Sequence, residues 1–122
     1  MQQRTDEWFN AKIGKVGASR LDAVCAKGQG VTRKNYMIEL LIARLTGVYP
    51  KSYTSPEMER GTILEPEARC AYERLTGNVV NEVGFIPHTL IKDAGASPDG
   101  LIGIDGGLEI KCPNTATHLK YL

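Results

Sequence analysis

Cysteine is scarce, with three in 122 residues. Cys25, Cys70 and Cys112 lie far apart, are odd in number and form no Cys-x-x-Cys pair. A disulfide scaffold, a four-cysteine zinc site and a cysteine-ligated iron–sulfur cluster are all poorly supported, and buried thiols are the expectation. Histidine is scarcer still: His88 and His118 have no ligand-like spacing to another histidine or cysteine, so both read as structural or surface groups. Neither charge is in excess, 15 basic residues facing 14 acidic ones for a net charge of +1. That argues against a protein held on nucleic acid mainly by bulk positive charge, though not against a locally acidic site that needs cations to meet a phosphate. No apolar run approaches the roughly 18 residues that cross a bilayer. The start, MQQRTDEWF, lacks the charged region followed by an apolar stretch of a secretion signal. The expectation is a soluble chain in the cytoplasm with no membrane partner.

What remains is ordinary for one small globular domain, with 42% hydrophobic and 24% charged residues. Thr5 can cap a short helix to Lys12, with Asp6 and Glu7 in the first turn and Trp8 and Phe9 as its apolar side. Trp8 reads as core rather than as a base-stacking platform. Ser19 is a candidate cap for a second helix carrying Leu21, Val24 and Cys25, and Lys27–Gly30 reads as a loop. Thr32 can cap a helix to about Thr46, with Tyr36, Leu40, Leu41 and Leu45 at helical spacing and Gly47 as a stop. Ser55-Pro56 opens another, ending at Gly77, which Pro66 should kink or divide. Its apolar positions are Ile63, Leu64, Ala68, Ala71, Tyr72 and Leu75. β-type stretches follow at residues 79–86 and 94–104, then a Gly106-Gly107 turn, a strand Leu108–Cys112 and the start of a helix from Thr115. Helices first and strands later predict an α+β or mixed α/β fold. With only about three candidate strands, the strongest close to the end, the chain reads as the front part of a larger domain truncated at its C-terminus.

The chemistry concentrates in Ser97-Pro98-Asp99-Gly100 followed by Glu109-Ile110-Lys111. Strand residues two apart share a face, so Glu109 and Lys111 project together while Ile110 points the other way. If Asp99–Ile104 is the partner across the glycine turn, Asp99 lies near Glu109. Two such carboxylates suit Mg²⁺ or Mn²⁺, and a neighbouring lysine can orient or help deprotonate an attacking water. Taken singly, Glu and Lys two apart are more often a solvated ion pair, and Asp-Gly after proline is more often a turn. Together the two readings balance.

Four ordered blocks then carry a resemblance: QRTDEWFNAKIGKVGASRLDAV, ERGTILEPEARCAYERLTG, GASPDGLIG and GLEIKCPNTATH. They resemble the phage lambda exonuclease group, the YqaJ-like viral recombinases of the PD-(D/E)XK nuclease superfamily. The resemblance implies a restriction-endonuclease-like fold, a mixed sheet flanked by helices, with residues 1–122 as the N-terminal and central part of a single exonuclease domain. It implies Asp99 and Glu109 as metal ligands, joined by the backbone carbonyl of Ile110, and Lys111 as the catalytic lysine. Glu65 would be the helical acid completing the metal site; without the resemblance it reads as a surface glutamate four residues from Arg69. Ser19, Lys12 and Ser97 would hold the 5′-phosphate of a DNA end; for both serines capping or turn formation is the plain structural role, which can coexist with this one.

Lys12 stands where relatives commonly have arginine, keeping the charge but losing the bidentate fork. Gly17 replaces a more usual threonine, and Arg60 a frequent aromatic. The function so implied is a Mg²⁺- or Mn²⁺-dependent exonuclease degrading linear double-stranded DNA from 5′-phosphorylated ends. It would act in phage recombination in the bacterial host cytoplasm, beside a single-strand annealing protein and as a homotrimer. An endonuclease or resolvase on the same fold, and a non-catalytic remnant that binds DNA ends, are the alternatives. Arg33, Lys34 and Lys51 read as solvated surface before they read as a DNA path.

Overall fold

The computed structural model describes residues 1–28, 30–50 and 52–122; Lys51, and Gln29 of the Lys27–Gly30 loop, lie outside the described residues. The chain forms two compact units, one from Met1–Lys51 and Val83–Pro98, the other from Ser52–Glu82 and Asp99–Leu122.

In the first unit, the Thr5 hydroxyl accepts from the Trp8 amide and starts α1 (Asp6–Ala11). A two-residue strand β1 (Val16–Gly17) leads through one 3₁₀ turn (Ala18–Arg20) into the single helical turn α2 (Leu21–Val24). Ser19 lies inside that 3₁₀ turn; Gly17 stands at the cap position of the turn and Arg20 at that of α2, and neither end has a side-chain capping hydrogen bond. This corrects the capping role expected of Ser19. α3 (Thr32–Thr46) begins at Thr32, with Val31 rather than Thr32 at the cap position, and stops where Gly47 turns left-handed at φ +68°. Its covered side is Tyr36, Leu40 and Ala43, while Leu41 and Leu45 face outward. The 36/40/43 spacing follows one helical face more closely than the leucines do. The strands β3 (Ile86–Pro87) and β4 (Ala94–Ala96) complete a three-stranded mixed sheet, in which β4 pairs parallel to β1 and antiparallel to β3. Arg44 ties this unit together: Nε and Nη2 both donate to the Gly14 carbonyl, and Nη2 pairs with Asp93 at 3.1 Å.

The second unit is built on α4 (Pro56–Thr76), opened by the Ser55 hydroxyl accepting from the Met58 amide and closed by Gly77 at φ +71°. The helix runs unbroken through Pro66, one intrahelical bond short. The caps lie only at Ser55 and Gly77, the two ends of the one helix, and the division expected as one outcome of Pro66 does not occur. Its least exposed stripe is Leu64, Glu65, Ala68, Arg69, Tyr72 and Glu73, three of them charged; Ile63 and Leu75 are exposed. β2 (Val80–Asn81), β5 (Gly100–Ile102) and β6 (Gly106–Leu108) form an antiparallel sheet in the order β2-β5-β6.

The β5–β6 register, Ile102 facing Gly106 and Gly100 facing Leu108, puts the turn at residues 103–105 and the glycine pair inside β6. Glycine is required at 106 by close approach: a Cβ there would lie 2.7 Å from the Ile102 carbonyl oxygen. The ladder ends at Leu108, so Glu109–Cys112 continues beyond the pairing expected for it. α5 (Thr115–Tyr121) follows, capped by the Asn114 side chain accepting from the Thr117 amide. All three cysteines are free, and Cys25 and Cys70 are exposed rather than buried: Cys25 closes the end of α2, and Cys70 lies on the outward face of α4. Among the described residues, no helix is long and apolar enough to cross a membrane.

Candidate active site

β6 loses its strand partner where β5 begins, and a side chain takes over. Asp99, the residue before β5, accepts a 2.6 Å hydrogen bond from the Ile110 amide through Oδ2. A carboxylate thus satisfies a main-chain donor that the ladder no longer reaches. Glu109 and Lys111, on either side of Ile110, are ion-paired with each other through Oε1 and Nζ, and both are largely exposed. Glu65 and Arg69 form an i,i+4 pair at 2.9 Å on the covered stripe of α4. This is the geometry expected of a helical Glu–Arg pair, here nearly buried rather than on the surface.

These groups share one electrostatic neighbourhood. Burial pushes the Asp99 carboxyl above its ordinary 3.8; the Ile110 amide opposes this, while the Glu109 and Glu65 charges raise it further and Lys111 lowers it. The Lys111 ammonium is held above its usual 10.5, chiefly by its hydrogen bond to Glu109 and despite partial desolvation. Beside Glu109, Lys111 is therefore a cation at neutral pH, with its ammonium as a hydrogen-bond donor.

The donor chemistry fits a hard divalent cation. Asp99, Glu109 and the Ile110 carbonyl are oxygen donors, and the mutual repulsion of the acids around Asp99 is what a cation relieves. Among the described residues, no three acidic, thiol or imidazole groups already converge as a metal-holding set. Glu109 is turned to Lys111 and Glu65 to Arg69.

The phosphate-binding candidates lie in the first unit. Lys12 and Ser19 line one small cavity of about 40 Å³, together with Lys15, Arg20 and Tyr36. That is room for a few water molecules. Tyr36 is buried, its hydroxyl accepts from the Gly17 amide at 3.3 Å, and the Arg20 guanidinium lies 4.3 Å from its ring centre. Ser97 is not in this lining. Its hydroxyl accepts from the Trp8 indole N–H at 2.9 Å, and the Lys12 ammonium lies 3.7 Å above the ring of the same indole. Half-buried Trp8 therefore links Lys12 and Ser97, a role its reading as core did not include. His88 is structural, Nδ1 accepting from the Leu90 and Ile91 amides. Arg33 and Lys34 are exposed on α3.

Residues 7–122 match the family model of the YqaJ-like viral recombinase domain. The chain belongs to the YqaJ-like viral recombinase family. Two solved structures resemble this YqaJ-like chain across 95% of its length. One is LHK-Exo in complex with dAMP, at 52% identity and a TM-score of 0.85. The other is LHK-Exo described as an alkaline exonuclease from Laribacter hongkongensis, at 51% identity and a TM-score of 0.83. The YqaJ-like chain spans 57% of the length of each of those chains. The mixed α/β architecture expected from the sequence is the one they share. No curated protein matches the chain.

Proposed function

We propose that this chain carries the metal-dependent centre of a phage-type DNA exonuclease, which hydrolyses phosphodiester bonds from 5′-phosphorylated ends of linear double-stranded DNA during recombination. The observation that carries the reading is the Asp99–Ile110 hydrogen bond, which brings an acid to the Glu109–Lys111 pair at the end of a β-hairpin. Half the sequence identical to an alkaline exonuclease supports it.

Asp99, Glu109 and the Ile110 carbonyl would hold Mg²⁺ or Mn²⁺, with Glu65 supporting the site from α4. A divalent ion so held supplies Lewis acidity to the attacking water and to the scissile phosphate. Lys111, kept cationic beside Glu109, donates to that water and offsets negative charge developing on the phosphate. Lys12 and Ser19 would receive the terminal phosphate, Lys12 contributing charge and Ser19 a hydroxyl donor. Ser97, anchored by the Trp8 indole, adds a third polar contact. The same reading puts the protein in a bacterial host cytoplasm, beside a single-strand annealing protein and in a homotrimer.

The test is digestion of linear duplex DNA with 5′-phosphate or 5′-hydroxyl ends, with and without Mg²⁺, beside Lys111→Ala. Mg²⁺-dependent preference for the phosphorylated end, lost in the variant, is the expected result. Equal digestion of both ends would favour an end-independent nuclease. DNA binding without cleavage in a folded sample would favour a non-catalytic end-binding protein.

A further inference from the structure

The covered stripe of α4 holds a group that the nuclease reading does not use. Arg69 is the one charged residue found buried among the described residues, at 8% exposure. Its guanidinium reaches three separate parts of the second unit. Nη2 pairs with Glu65 at 2.9 Å and makes a longer contact, 3.4 Å, with the main-chain carbonyl of Asp99. Nη1 pairs with Glu82, just past β2, at 3.0 Å. Nε is buried without a hydrogen-bond partner.

Burying an arginine with one donor unsatisfied costs more than an apolar residue of similar size would at a purely structural position. What the arrangement provides is direction. Asp99 is held from two sides, its carboxylate by the Ile110 amide and its carbonyl by Arg69, while the same nitrogen fixes the Glu65 carboxylate. The two acids are thereby referenced to one planar group, and Glu82 holds that group from the far side.

We infer that Arg69 is the positioning residue of the cation site, setting the relative placement of Glu65 and Asp99 through its fork rather than through its charge. This rests on the reading of Asp99 and Glu65 as groups around a divalent ion. A positive charge near a cation site weakens binding by Coulomb repulsion, so deleting Arg69 would mix two opposing effects. Arg69→Lys separates them: the charge stays and the planar fork is lost.

The experiment is Mn²⁺ binding to the protein without DNA, followed by titration calorimetry, with circular dichroism and thermal melts on the same samples. Wild type should bind Mn²⁺ and Asp99→Asn should abolish binding. Arg69→Lys, folded by circular dichroism, should bind about 10- to 100-fold more weakly, the range for partners behind metal ligands. A purely structural arginine would lower the melting temperature and leave the affinity of the folded protein unchanged. That result overturns the inference while the metal-site reading stands. Failure of wild type to bind Mn²⁺, or equal binding by Asp99→Asn, overturns the metal-site reading and the inference with it. Should Arg69→Lys not fold, Glu82→Asp decides: Glu82 is exposed, the change keeps its charge, and one methylene less breaks the 3.0 Å pair. Weaker Mn²⁺ binding by Glu82→Asp supports the clamp, and unchanged binding refutes it.

Discussion

Asp99 has two duties that substitution can separate: it caps the Ile110 amide, and it carries a charge that its surroundings disfavour. Asp99→Ala removes the acceptor and leaves a half-buried amide unpaired, which costs about 1–3 kcal/mol. For a chain of this size that lowers the melting temperature by roughly 4–12 °C. Asp99→Asn keeps a carbonyl oxygen for Ile110 and removes the charge, exchanging an ionic hydrogen bond for a neutral one at a loss of about 1 kcal/mol. Relief from desolvation and from repulsion by Glu109 and Glu65 acts in the opposite direction, so without metal Asn should melt within a few degrees of wild type.

The sign of the pH dependence follows. A carboxyl whose folded pKa lies above its ordinary 3.8 destabilises the fold wherever it is ionised; the penalty is fully present above the folded pKa and is gone below 3.8. Wild type should therefore gain stability relative to Asp99→Asn as pH falls through that window. Divalent metal should reverse the ranking at neutral pH: at a hundredfold excess over its dissociation constant, bound ion adds about 2.7 kcal/mol to wild type and nothing to Asn. The assay is thermal melting of the three proteins from pH 7 to pH 3.5, with and without Mg²⁺. Equal destabilisation of Asn and Ala would show that the charge, not the acceptor, holds Ile110, and would refute the reasoning.

Other outcomes can be checked independently. Lys111→Ala should reduce Mg²⁺-dependent cleavage about a hundredfold or more in a steady-state nuclease assay while leaving the melt nearly unchanged, because its pairing with Glu109 is exposed. Lys12→Ala should raise KM for 5′-phosphorylated duplex severalfold and leave 5′-hydroxyl duplex alone, since it removes a charge from the cavity it shares with Ser19. Ser55→Ala should cost about 1 kcal/mol in denaturant unfolding by removing the cap of α4. Arg44→Ala should cost about 1–3 kcal/mol in the same measurement, since two donors to the Gly14 carbonyl vanish together.

Local chemistry made much of this legible in the sequence. Thr5, Ser55-Pro56, Gly47 and Gly77 mark their helix ends because capping and left-handed closure depend on a few adjacent residues. Glu109 and Lys111 flank Ile110 by covalent order, and four residues separate Glu65 from Arg69, one turn of helix. Tertiary structure decided the rest. Two short sheets replace the expected run of longer strands, and the hairpin turns at residues 103–105, where Gly103 takes φ +60°, while Gly106 sits inside β6 with no room for a Cβ. Leu41 and Leu45 lie outside while charged Arg69 lies inside, since burial depends on which helix face meets the rest of its unit. The sequence by itself determined which acids and which lysine stand as candidates for the chemistry. Only the folded chain decided that Asp99 would cap Ile110 and that Arg69, already one helical turn from Glu65, would also reach Asp99, because those two contacts join segments 11 and 30 residues apart and exist only once β5, β6 and α4 have packed.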